Sequence, residues 1–142
     1  GMDSLLTQLA RCCKPAPPDE IRGFVTRGKG VSIHRGNCPN FRELVSRSPE
    51  RVIDVQWATG SANLPAFYPV DIAVEAVDRQ GLLRDISEVF SKESMNVIGV
   101  QTSTVKGIAW MTFTVEVTHS GRLAHVLSVV GRIAGVRHAR RQ

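Results

Sequence analysis

The stretch "FYPVDIAVEAVD" alternates Val70, Ile72, Val74 and Ala76 against Asp71, Ala73, Glu75 and Val77. That period of two marks a half-buried strand. Directly behind it, Leu82, Leu83, Ile86, Val89 and Phe90 recur at helical spacing and predict one apolar stripe. "MNVIGVQTSTV" and "IAWMTFTVEVT" return to alternation, with Lys106-Gly107 between them as a tight turn. Ser120 is placed to cap a second helix bearing Leu123, Val126, Leu127, Val130 and Ile133; Gly135 ends it, and "VRHAR" forms a last short strand. The order β-α-β-β-α-β predicts a ferredoxin-like α+β sandwich, with both helices on one face of an antiparallel sheet.

The pattern before it is shorter and less regular. Asp3 to Arg11 reads as a helical remnant, capped by Asp3 with Leu5, Leu6 and Leu9 on one face. "KPAPPD" ends it, because proline lacks the amide donor and clashes with the preceding turn. "EIRGFVT" and "GKGVSIH" predict two strands around a glycine turn. Asn37 is expected to cap a helix that opens with Pro39 and carries Phe41, Leu44 and Val45. "RVIDVQWA" (51–58) supplies a third strand. The expectation is a small β-β-α-β domain over 1–58, a polar linker "TGSANLPA" over 59–66, and the second domain over 67–142.

Composition narrows the class. The chain has 142 residues, so each half is a small domain that gains from a staple such as a metal or a partner copy. No apolar run reaches the length of a membrane-spanning helix, and no secretory signal is visible. Gly1 ahead of Met2 reads as a cloning remnant, so the chain is expected to be a piece of a longer protein. The net charge is +5, spread over both halves. Arg22, Arg27, Lys29 and Arg35 form the densest basic cluster, a candidate phosphate-binding surface for RNA or simply a solvated turn. Gly28 and Gly30 would let a backbone approach there.

All three cysteines lie in the first domain, and their odd number without a signal peptide predicts reduced thiols in a cytoplasm. Cys12, Cys13, His34 and Cys38 make a Cys3His set suited to tetrahedral zinc. Adjacent side chains diverge in an extended chain, so Cys12 and Cys13 can both serve one ion only if the backbone bends between the expected helix end and Pro15. Buried or redox-responsive thiols are the alternative. A Cys12–Cys13 disulfide is disfavoured by a reducing compartment.

The motifs now carry a resemblance. "VDRQGLL" (77–83) and "MNVIGVQT" (95–102), set in that element order, make the second domain resemble an ACT domain. "ARCCKPAPPDEIRGF" and "GKGVSIHRGNCPNF" resemble the conserved-cysteine, zinc-finger-like segment that precedes the ACT domain in long RelA/SpoT-type GTP pyrophosphokinases, the (p)ppGpp synthetases of the stringent response.

That resemblance implies a non-catalytic, regulatory C-terminal region. The parent protein is then an ATP:GTP 3′-pyrophosphotransferase, in some members also a hydrolase of its product. The family's C-terminal end docks on the ribosome and its RNA with uncharged tRNA, self-associates through the ACT domain, and controls the catalytic domains of the same chain. It also implies a site for an amino acid or other small ligand at Asp78, Arg79, Gly81, Leu82 and Leu83 with Asn96, Val97 and Ile98. Gly81 and the free amides of the following helix suit a carboxylate there, and Asp78 an ammonium group; alternatively Asp78 only caps the helix. An amino-acid-sensing ACT dimer is the competing function.

No enzyme is legible in the chain itself. There is no His-Asp pair with metal spacing, no phosphate loop followed by Lys and Ser/Thr, and no nucleophile beside a base. The expected cofactors are zinc or none. Trp110, on the open side of its strand, reads as a protein contact in preference to a base-stacking platform. His119, His125 and His138 read as structural or surface residues, and Arg137, Arg140 and Arg141 as a basic tail able to touch RNA.

Overall fold

The computed structural model describes residues 6–28, 30–58 and 67–142. Asp3, Leu5, Lys29 and the expected linker 59–66 lie outside these. The chain divides into two compact units, 1–66 and 67–142.

The first unit contains β1 (Thr7–Leu9), β2 (Ile21–Val25), β3 (Val31–Arg35), α1 (Pro39–Arg47) and β4 (Val52–Ile53). Its sheet runs β1-β3-β2-β4. The expected helical remnant is corrected: Thr7–Leu9 is a strand, parallel to β3 in the register Thr7↔Val31. Val31 N–H donates to Leu6 O at 2.7 Å and Ala10 N–H to Ile33 O at 2.8 Å. Pairing along the free edge of β3 satisfies backbone groups that a single short helical turn would leave open.

The two faces of this sheet pack differently. Phe24 joins Cys13, Cys38 and Phe41 of α1 on one face. Ile21, Val31 and Ile33 gather Leu9, Ile53, Val55 and Trp57 on the other. Gly23 sits where an added Cβ would lie 2.9 Å from both Ile53 and Val55. The strand expected over 51–58 shrinks to Val52–Ile53, and Arg51 is taken up in a 3-10 turn over Pro49–Arg51. Asn37 is not the helix cap. Cys38 takes that position in extended conformation, with Pro39 first in the helix.

The second unit contains β5 (Tyr68–Val77), α2 (Leu82–Lys92), β6 (Asn96–Val105), β7 (Ile108–Val117), α3 (Leu123–Gly131) and β8 (Val136–Arg141). The sheet is wholly antiparallel in the order β6-β7-β5-β8. This is the expected α+β sandwich. Val70, Ile72, Val74, Phe113 and Val115 are fully buried, as are Ile86, Phe90, Val126 and Val130 of the helices. The Phe90 and Phe113 rings meet at a tilt, 5.3 Å between centroids, across the layer interface.

Lys106 and Gly107 both take positive φ, 53° and 80°, which closes the β6–β7 hairpin in two residues. Two helical details differ from expectation. Leu83 leaves the stripe and is 47% exposed, because the buried row is Leu82, Ile86 and Phe90 at i, i+4, i+8. Ser120 opens a 3-10 turn instead of capping α3; His119 caps that turn, its Nδ1 accepting from Gly121 N–H at 3.0 Å.

Candidate metal centre and binding surfaces

The donor atoms of Cys12, Cys13, His34 and Cys38 all lie within 4.8 Å of one another. Cys12 Sγ is 3.5 Å from His34 Nδ1 and 3.6 Å from Cys38 Sγ, and Cys13 Sγ is 3.9 Å from His34 Nδ1. A tetrahedron about 2.3 Å in radius, the zinc–sulfur distance, has edges of roughly 3.8 Å. The four donors therefore lie close enough together to be gathered by one ion.

Three elements converge to give this spacing. The chain turns sharply after β1: Lys14 N–H donates to Ala10 O at 3.0 Å, and Lys14 takes φ 44°. This turn, following a strand and not a helix, aims both adjacent thiols at the same point. His34 comes from β3 and is 4% exposed. Its ring packs on Phe41, 5.5 Å between centroids. Cys38 stands at the start of α1.

Surrounding groups orient the donors. Ser32 Oγ lies 2.8 Å from His34 Nε2, which leaves Nδ1 for the cluster. Arg35 donates its backbone N–H to Cys13 Sγ at 3.3 Å and its guanidinium to Cys13 O at 3.2 Å. Sequence reasoning missed Ser32 and assigned Arg35 to the basic cluster, not to the thiols. Ser32 had a signal, since it stands two positions before His34 and shares its face of β3.

The thiols are not equivalent. Burial pushes Cys13 up to about 12, against the Arg35 N–H, with the neighbouring thiols adding to the rise. Burial also raises Cys38, but the Phe41 amide, the two other thiols and the Asn40 amide outweigh it and bring it below the usual range. Burial lowers His34, keeping the imidazole neutral. A neutral imidazole is a ligand, and a bound cation would reverse the penalty on the Cys13 thiolate.

In the second unit the expected ligand-binding residues fall into two groups. Gly81 is the N-cap of α2 with φ 80°, and no side chain caps the helix there. Asp78 is exposed and does not cap it; its N–H pairs with Gly107 O at 2.9 Å. Arg79 donates to Ala134 O at 2.8 Å, to Gln80 O at 3.0 Å and to Asp85 at 2.8 Å. Leu82 is core, whereas Leu83 is half exposed. On β6, Asn96 donates to Glu116 at 2.9 Å. Val97 is half-buried and Ile98 is 52% exposed at a register shift between Val97 and Gly99.

The basic cluster does not form one strip. Arg22 pairs in register with His34, so Arg22 and Arg35 leave the sheet on opposite faces. Arg22 reaches Asp54 at 3.9 Å, Arg35 is engaged by Cys13, and Arg27 is exposed in the β2–β3 turn. Lys29 lies outside the described residues. Among the described residues, no helix is long and apolar enough to cross a membrane.

Comparison with known proteins adds the lineage. Residues 1–58 match the sequence profile of the RelA/SpoT RIS domain and residues 65–141 that of the ACT domain. A GTP pyrophosphokinase of Escherichia coli (strain K12) is 39% identical over 143 residues, covering 99% of this chain and 19% of that protein. One from Streptomyces coelicolor is 44% identical over 138 residues, covering 96% of this chain and 16% of its own length. The chain thus spans less than a fifth of the curated relatives it matches, in their C-terminal region. The solution structure of the ACT domain from a Chlorobium tepidum GTP pyrophosphokinase is 19% identical with a TM-score of 0.48, covering 55% of this chain and 89% of that one.

Proposed function

The chain belongs to the RelA/SpoT family, as a RIS domain followed by an ACT domain, and on that premise we propose that it is the non-catalytic regulatory end of a cytoplasmic GTP pyrophosphokinase. The parent transfers pyrophosphate from ATP to GTP. This part docks on ribosomal RNA, associates with a second copy and controls the catalytic domains. The observation that carries the reading is a match over nearly the whole chain to proteins named GTP pyrophosphokinase.

In this reading Cys12, Cys13, His34 and Cys38 hold a structural zinc. The ion would lock the turn after β1, β3 and the start of α1 together, which a small domain with little core needs. The RNA surface centres on the β2–β3 turn at Arg27 and Lys29; Arg22 lies at the other end of the β2–β3 ladder, opposite His34, and Arg35 serves the thiol cluster instead. The test is co-sedimentation of the full-length parent with ribosomes. Arg27→Glu with Lys29→Glu is expected to weaken binding and flatten its salt dependence. Unchanged binding would remove the turn from the docking surface.

A second reading rests on the uncapped start of α2 with exposed Leu83 in its first turn, and on exposed Ile98 on the edge strand β6. There an amino acid would sit with its carboxylate on the α2 amides, at an interface formed by the open edge of β6. Calorimetry with branched-chain amino acids tests it. Heat that disappears in Gly81→Val supports a sensor, and no heat with either protein removes it.

A further inference from the structure

The open face of the second sheet holds a groove of about 410 Å³ that neither reading uses. Its geometry follows from register. Trp110 on β7 stands opposite Glu75 on β5, and Glu75 opposite His138 on β8. One row along, Thr112 faces Ala73, and Ala73 faces Arg140. β7 and β8 flank β5, so their backbones are two strand spacings, about 10 Å, apart. The columns on β7 and β8 thus wall a slot floored on β5 by Ala73 and Glu75.

The walls are unspent. Trp110 is 52% exposed. Among the described residues, the side chains of Trp110, His138 and Arg140 make no hydrogen bond or ion pair. The acid of the groove is already answered, since Arg137 Nε lies 3.4 Å from Glu75 Oε2. An indole face, a guanidinium plane and an imidazole around a floor opened by Ala73 match a flat ring that carries an anionic group. The volume lies in the range of small-ligand sites.

We propose that this slot binds a free nucleoside phosphate, its base against Trp110 and its phosphate on Arg140 and His138. A nucleic-acid strand fits less well, because successive phosphates need a track of cations. The next row to one side is Val77, Ile108 and Val105, all apolar; on the other it is Asp71, Thr114 and Gly99.

The test is titration of the 142-residue chain with adenosine and guanosine diphosphates, followed by calorimetry and the two indole N–H resonances. Binding in the range of roughly 10–100 μM is expected to shift the Trp110 signal and spare that of Trp57, whose Nε1 is held by Asp19 O. Trp110→Ala and Arg140→Ala should each weaken it by roughly tenfold, the scale of one lost stack or charged contact, with Trp110→Phe recovering part. Four outcomes overturn the proposal: no shift of the Trp110 signal; equal binding of pyrophosphate alone, which removes the base; equal binding of the nucleoside alone, which removes the phosphate; and binding confined to a single-stranded oligonucleotide.

Discussion

Ser32 Oγ lies 2.8 Å from His34 Nε2 and so decides which imidazole nitrogen meets the thiols. With Nε2 engaged, Nδ1 is left toward Cys12 and Cys13. Removing the hydroxyl frees the ring to rotate and to choose the other tautomer. Ser32→Ala is therefore expected to lower zinc affinity by roughly 10- to 100-fold, the usual cost of losing a group that orients a metal ligand. Competition with a chromophoric chelator measures it. The protein should stay folded in excess zinc, and an unchanged affinity would mean that Phe41 alone orients the ring.

Gly23 gives a prediction about packing. A Cβ there would sit 2.9 Å from Ile53 and Val55 and 3.1 Å from Val31. These are β-branched side chains with restricted χ1, so they yield poorly. Gly23→Ala is expected to cost about 1–3 kcal/mol, as overpacking does. Denaturant melts of the metal-loaded protein would show it; a stabilised variant would place Ile53 and Val55 further from β2 than described.

The sequence was readable where structure is local and obscure where it is not. Strict alternation over 67–78 and 108–117 and the two-residue Lys106-Gly107 turn predicted the second sheet, because period and turn chemistry are properties of neighbouring residues. Leu5, Leu6 and Leu9 fit a helical face equally well, and nothing near them reports that Thr7 pairs with Val31 twenty-four positions later. The members of the clustered Cys12, Cys13, His34 and Cys38 set were identifiable by type and spacing. What brings them together, the positive φ at Lys14 and the β1–β3 pairing, left no mark in composition. Leu83 was misplaced because apolarity alone does not tell the centre of a helical stripe from its flank.

Asp85 carries the pH prediction. The Arg79 guanidinium bonded to it holds its carboxyl below the usual range against a smaller opposing effect of burial, with Arg84 assisting. Since the folded pKa is depressed, the stabilisation is present above the unfolded value of about 3.9 and is lost as pH falls through the folded value. Asp85→Asn should flatten that part of the stability profile, and it should loosen Arg79 from Ala134 O in the loop before β8. A carboxyl titration followed by NMR checks the sign. A midpoint at or above about 3.9 would contradict the bridge.

Self-association makes the last prediction. β6 is an edge strand of ten residues with β7 on one side only. Ile98 and Val100 on it are 52% and 42% exposed. A long apolar edge with open amides and carbonyls pairs readily with a second copy, and lysine on such an edge opposes pairing. If the proposed dimer forms along β6, Ile98→Lys with Val100→Lys raises its dissociation constant at least about tenfold, through like charges brought together across the two-fold axis. The fold should survive, because neither side chain belongs to the core. Sedimentation equilibrium of the variant and the parent sequence decides it. An equally stable dimer would move the interface away from β6, and with it the amino-acid site that depends on that edge.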